Sequence, residues 1–222
     1  PALSPSRAAD FKQCPLPYRS RTIDQLEGPP SPAAARGTLV HAVLEHLFEL
    51  PAAERTPEAA LALVEPRWHA LVGERPELAT MIEDDEALDL QSWFAAAGGL
   101  VEQWFTLEDP TRLEPAAREL YVEAEVDGLT LRGYVDRLDV APDGAMRVVD
   151  YKTGRSPSEL FEAKALFQMK FYALVLWRIH GTIPALLQLV YLGNGEVVRY
   201  SPAERDLLAV ERDNATFVSG RG

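Results

Sequence analysis

The chain has 222 residues, 47% of them hydrophobic and 25% charged, which is enough apolar mass for one well-sized core and a single domain over residues 1–222. No apolar run approaches the ~18 residues of a membrane span, and the opening PALSPSRAAD has neither half of a signal peptide, so a cytoplasmic protein without a membrane partner is expected. The formal net charge of −12 argues against a broadly cationic nucleic-acid binder, because Lys and Arg contacts to phosphate dominate that affinity.

Ser4-Pro5 reads as an N-cap and first-turn proline opening a short helix that carries Phe11 and ends near CPLPY. EGPPSPAAARG reads as a loop. From about residue 34 to 50, Leu39, Val43, Leu44, Leu47 and Phe48 recur at helical spacing. Thr56-Pro57 caps a third helix, interrupted by Pro66, and a longer one is expected from about 84 to 105. Residues 51–106 therefore form a helical insert or cap.

The texture changes at Glu119. ELYVEAEV, Asp127-Gly128, LTLRGYVDRLDV, APDG and AMRVVDYKT read as three antiparallel strands, since Asp-Gly supplies the positive φ angles of a tight hairpin. SPSE at Ser156–Glu159 is a capping box for a helix over residues 160–179. IPALLQLVYL is a strand apolar on both faces, Gly193-Asn194-Gly195 turns into EVVRY, and Ser201 caps a last helix. The expected fold is α/β: a mixed central sheet with an antiparallel meander, flanked by helices.

Charge is unevenly placed. Acid collects in ERPELATMIEDDEALD, whereas Arg7, Lys12, Arg19 and Arg21 lie near the start and Lys152, Arg155, Lys164 and Lys170 lie later, so a basic groove on an acidic body is compatible with the composition. Strand residues two apart point the same way, so Asp150 and Lys152 project together. The short APDG turn brings Asp136 near Asp150, and converging carboxylates suit a hard cation such as Mg²⁺ or Mn²⁺. A metal beside an ammonium group is what phosphodiester hydrolysis requires. A surface salt bridge is the plain alternative for Asp150 and Lys152. Gln168 and Tyr172 share one face of the following helix. His41 has Glu45 one turn later, without the spacing of a zinc motif.

Together, RGTLVH with His41, GYVDRLD with Asp136, DYKTG with Asp150 and Lys152, and QMKFY with Gln168 and Tyr172 resemble the RecB-type branch of the PD-(D/E)xK nuclease superfamily, which includes AddB-like and CRISPR-adaptation nucleases. The resemblance implies a restriction-endonuclease-like core and a metal-dependent DNA exonuclease acting on single strands or ends in repair or recombination. It implies that His41, Asp136, Asp150 and the Tyr151 carbonyl hold Mg²⁺ or Mn²⁺. Lys152 would serve the nucleophilic water, and Gln168 with Tyr172 would support the site or touch DNA. Phe11, Tyr18 and Trp177 are candidate stacking aromatics. The chain has no phosphate-binding GxxxxGK[ST] loop, so a helicase would be a separate partner.

In many relatives a cysteine near the start joins three near the end to hold a [4Fe–4S] cluster, and Cys14 in FKQCPLPYR matches that first position. The other three are absent here. The expectation is that they lie in a segment beyond Gly222; the alternative is that the cluster is lost and Cys14 is buried. A reading from another class is a retired nuclease fold serving as a DNA-binding or scaffold module.

Overall fold

The computed structural model describes residues 2–4, 31–83, 88–156 and 159–219. The short helix expected around Phe11, and with it Cys14 and Tyr18, falls outside these residues, as does part of the SPSE capping box. A mixed sheet contains β1 (Ala2–Leu3), β2 (Ala117–Val126), β3 (Leu129–Val140), β4 (Met146–Lys152), β5 (Leu186–Tyr191) and β6 (Glu196–Tyr200). Its order is β1-β3-β4-β5-β6, with β2 on the other side of β3. The meander is present: β2 pairs antiparallel with β3, and β3 with β4. Asp127 and Gly128 take φ of 51° and 76°, the conformation a two-residue hairpin needs.

Helices cover both faces. They are α1 (Pro32–Leu47), α2 (Pro57–Glu74), α3 (Glu77–Glu83), α4 (Leu90–Phe105), α5 (Glu159–His180) and α6 (Glu204–Ser219). On one face Phe171, Leu174 and Val175 of α5 pack against Leu131, Val135, Val148 and Leu189. On the other, Leu39, Val43 and Leu47 of α1, with Trp93, Val101 and Trp104 of α4, pack against Val149, Tyr151 and Val190. β5 is flanked by a core on each side, which explains its nearly unbroken apolar sequence.

Several boundaries differ from the sequence expectation. Helix α1 begins within the expected loop, because Ser31 Oγ accepts the Ala34 N–H at 3.2 Å and Pro32 occupies the first turn. Helix α2 runs through Pro66. Pro66 is exposed while Val64 and Trp68 are buried, so water can reach the backbone on the outer face while the inner face is held by packing. The helix expected from residue 84 starts at Leu90, where Asp89 Oδ2 accepts the Ser92 N–H at 2.9 Å. Helix α6 starts at Glu204 and is capped by Asp206 reaching back to the Ala203 N–H at 2.7 Å, not by Ser201.

Two glycines let segments meet near the end of β4. A Cβ on Gly193 would lie 2.6 Å from the backbone of Gly154, whose carbonyl accepts the Gly193 N–H at 3.0 Å. A Cβ on Gly37 would lie 3.2 Å from Thr153 Oγ1, so α1 passes close to the strand end and brings His41 over it.

Candidate active site

The site forms where two strands separate. The β3–β4 pairing runs from Val140↔Met146 to Arg137↔Val149, while β4 continues against β5 as far as Lys152↔Tyr191. Beyond Val149 the β3-facing edge of β4 needs other hydrogen-bond partners. Asp136 Oδ2 accepts the Tyr151 N–H at 2.7 Å, and His41 Nε2 donates to the Tyr151 carbonyl at 3.0 Å. With Nε2 protonated, the neutral ring turns the lone pair of Nδ1 toward Asp136 Oδ1 at 3.6 Å and Glu119 Oε1 at 4.0 Å.

Glu119 was not singled out in the sequence. The pairs Arg118↔Arg137 and Leu120↔Val135 flank it, so it stands opposite Asp136 across the hairpin. Its φ of 44° is rare for a residue with a side chain, and such conformations gather at functional sites. The signal was available: a hairpin folded about Asp127-Gly128 places residue 119 opposite residue 136. One ligand atom each from His41, Glu119 and Asp136 lies within 4.8 Å of the others. Burial, then the Asp150 charge, pushes the Asp136 carboxyl well above its ordinary range. Burial, then Glu45 and Asp150, raises Glu119. Burial lowers His41, which favours the neutral ring. Two carboxylates and an imidazole nitrogen this close, with the charged forms of both acids disfavoured, fit a hard divalent cation.

Asp150 and Lys152 point toward α5, where Gln168 meets them both. Lys152 Nζ lies 2.7 Å from Asp150 Oδ2 and donates to Gln168 Oε1 at 3.1 Å. Gln168 Nε2 reaches Asp150 Oδ1 at 3.4 Å and Tyr172 Oη at 3.2 Å. The charged pair at the strand end is therefore held by the next helix. Asp150 is 3% exposed, and its Oδ2 lacks a well-directed hydrogen bond despite the nearby ammonium. Burial alone would lower Lys152, but Asp150 and then Asp136 outweigh it and keep the ammonium charged. Burial raises the Tyr172 hydroxyl, which stays protonated at neutral pH.

A buried ion-pair network supports the strand gap from behind. Arg137, 1% exposed, binds Glu108 through Nη2 at 2.7 Å and Nη1 at 2.9 Å, and its Nη1 donates to the Tyr151 hydroxyl. Burial would raise Glu108, but its hydrogen bonds to Arg137 hold it below its ordinary value. Asp139 is not in the site; it pairs with Arg137 at 3.1 Å and Arg147 at 2.8 Å. Trp177 lies on α5, packed partly buried against the core.

The chain is similar to known proteins. The chain is 29% identical over 203 residues to the Gene 69 protein of Mycobacterium phage D29, covering 82% of this chain and 71% of that one. It is 27% identical over 212 residues to the Gene 69 protein of Mycobacterium phage L5, covering 79% and 70%. The crystal structure of a candidate exonuclease from Eubacterium rectale shares the fold, with a TM-score of 0.64 at 13% identity, covering 98% of this chain and 80% of that one. Residues 2–217 match the family model of the PD-(D/E)XK nuclease superfamily, and the strand gap with its acids and lysine sits within that span, so the chain belongs to this superfamily.

Proposed function

We propose that the protein is a divalent-metal-dependent deoxyribonuclease of the RecB-type branch, an exonuclease acting on single-stranded DNA or DNA ends in repair or recombination, with any helicase supplied by a partner. The observation that carries the reading is the convergence of His41, Glu119 and Asp136 at the strand gap, one strand from an Asp150–Lys152 pair held by Gln168. Mg²⁺ or Mn²⁺ would be held by His41, Asp136 and Glu119, with Asp150 and the Tyr151 carbonyl beside them. A divalent ion held there would polarise a phosphate oxygen and lower the pKa of a water.

The chain's own residues supply the rest. Lys152 remains charged and is fixed by two partners, so it can orient the attacking water and offset the negative charge that develops on the phosphate. Gln168 fixes both Lys152 and Asp150, and the Tyr172 hydroxyl restrains the Gln168 amide.

The test is cleavage of end-labelled single- and double-stranded DNA with Mg²⁺, Mn²⁺ or EDTA, comparing the parent with Asp150→Ala and Lys152→Ala. Metal-dependent cleavage is expected, with Asp150→Ala inactive. Lys152→Ala should lower kcat by about 10²–10³, the range for losing one group that stabilises developing charge. Its Mn²⁺ affinity should stay within about twofold, since that variant changes turnover and not the cation's ligands. DNA binding without cleavage by the parent would instead make this a retired nuclease fold.

A further inference from the structure

Next to the three converging groups lies a pair of aromatics that the hydrolytic reading does not use. Tyr121 is the cross-strand partner of Tyr134, and each stands two residues from a member of the site, Glu119 on β2 and Asp136 on β3. Strand alternation sends Val122 and Val135 into the core beneath α5, so Tyr121 and Tyr134 face the other way, onto the sheet face over which α1 carries His41. There they are 45% and 57% exposed, among the few large hydrophobic side chains left open among the described residues. Their rings are 5.3 Å apart and inclined at 57°, which leaves ring surface free. Exposed Arg132 lies one strand step beyond and reaches the Tyr121 hydroxyl.

We propose that Tyr121 and Tyr134 form a stacking platform for a base next to the reacting phosphate, so that the site takes an unpaired strand in preference to a duplex. The inference rests on the nuclease reading and assigns residues that would favour the single strand among its substrates. Two residues along a strand advance about 7 Å, a distance that one unstacked nucleotide spans. A π-face accepts any base, so such a platform grips a strand without reading its sequence. Inside a duplex each base is already stacked on both sides, and its face cannot meet a tyrosine unless the base is first extruded.

The charges around the platform limit its extent. Tyr121 hydrogen-bonds Glu123, Glu123 stands opposite Arg132, and Thr130 hydrogen-bonds Glu125. Carboxylates beyond Arg132 repel a phosphate chain, so the face serves about one base at the edge of the site, with Arg132 as its cation. Continuity with the acids of the strand gap is what favours a nucleic acid here over a protein partner.

The experiment measures KM for a short oligothymidylate with Mn²⁺, for the parent, Tyr134→Ala and Tyr134→Phe. The same strand carrying one abasic residue, moved position by position, and a duplex of the same length complete the set. Calorimetry records Mn²⁺ affinity in parallel. Tyr134→Ala is expected to raise KM about tenfold, within the range for one stacked base. Tyr134→Phe should keep the parent value, and Mn²⁺ affinity should be unchanged in both variants. One abasic position should cost the parent about the same factor and cost Tyr134→Ala nothing further.

Parent-like KM in Tyr134→Ala, or an equal loss on every abasic strand and on duplex, would overturn the platform while cleavage that depends on Asp150 leaves the nuclease reading standing. A parent that neither binds nor cleaves the oligonucleotide would remove both.

Discussion

Asp136 carries the sharpest conflict of any single side chain. It accepts the Tyr151 N–H, yet burial and the Asp150 charge disfavour its ionised form. Its folded-state pKa lies above the ordinary 3.8, so the unfolded chain holds fewer protons between the two values. The stability this group contributes is therefore present below about pH 4 and lost as pH rises through the folded-state value. In EDTA, Asp136→Asn should be more stable than the parent at pH 7 by about 1 kcal/mol, the scale on which active sites trade stability for function. The gap should close toward pH 4, as read from urea midpoints at each pH. A gap that does not change with pH would mean that Asp136 is not strained by its charge. Glu119→Gln, which keeps shape and removes charge, should weaken Mn²⁺ binding about tenfold by calorimetry, as loss of one anionic ligand in such a set would.

Among elements, the decisive contact joins the helical insert to the sheet. Glu108 follows α4 and meets Arg137 of β3 beneath Tyr151, with side chains 8% and 1% exposed. Removing Glu108 leaves the buried Arg137 guanidinium with Asp139 alone against it and two of its N–H groups unpaired, so Glu108→Ala should cost about 3 kcal/mol. Replacing both partners, as Glu108→Ala with Arg137→Met, should cost less than the single change by urea denaturation. A double variant less stable than Glu108→Ala would show that Arg137 contributes chiefly through its Asp139 pair and its packing on Phe48 and Tyr151. The insert is thus fastened to β3 and, through the Arg137 bond to the Tyr151 hydroxyl, to the strand whose backbone engages Asp136 and His41. Local sequence told where α1, α2 and α4 exist, with Thr56 capping α2 and α4 ending at residue 105 as expected, but it misplaced the starts of α1 and α4 and broke α2 at Pro66. A first-turn proline with a serine cap starts α1 earlier, and α2 continues through Pro66 because its inner face is buried.

Across the molecule, a formal net charge of −12 limits how much of the surface can meet a phosphate chain. No helix among the described residues is long and apolar enough to cross a membrane. Among the described residues, Lys152 is paired with Asp150 and Arg118 spends one N–H on the Glu45 carbonyl at 2.5 Å, so few cations beside the gap are free to meet a phosphate. Contact with no more than about four phosphates, at about 0.7 of log–log slope per phosphate of a single strand, predicts a salt dependence of binding shallower than about −3. Titrating a single strand across a range of KCl concentrations measures it. A steeper slope would place a larger cationic surface on the protein.

What the amino-acid order determined by itself is what short-range chemistry can encode. Asp127-Gly128 sets the hairpin and its register, a period of two puts Asp150 beside Lys152, and a helical turn puts Gln168 beside Tyr172. The GYVDRLD and DYKTG motifs pointed to the superfamily to which the chain belongs. Only the tertiary structure decided that β3 leaves β4 at Val149, and that His41, 110 residues away, meets the Tyr151 carbonyl there. It likewise joined Glu119 to the acids and Glu108 to Arg137. These contacts follow from how α1 and the insert pack across the sheet, with Gly37 against Thr153 and Gly193 against Gly154. Periodicity orients a side chain relative to its own strand or helix, but the partner it meets depends on how distant elements fill the space between them.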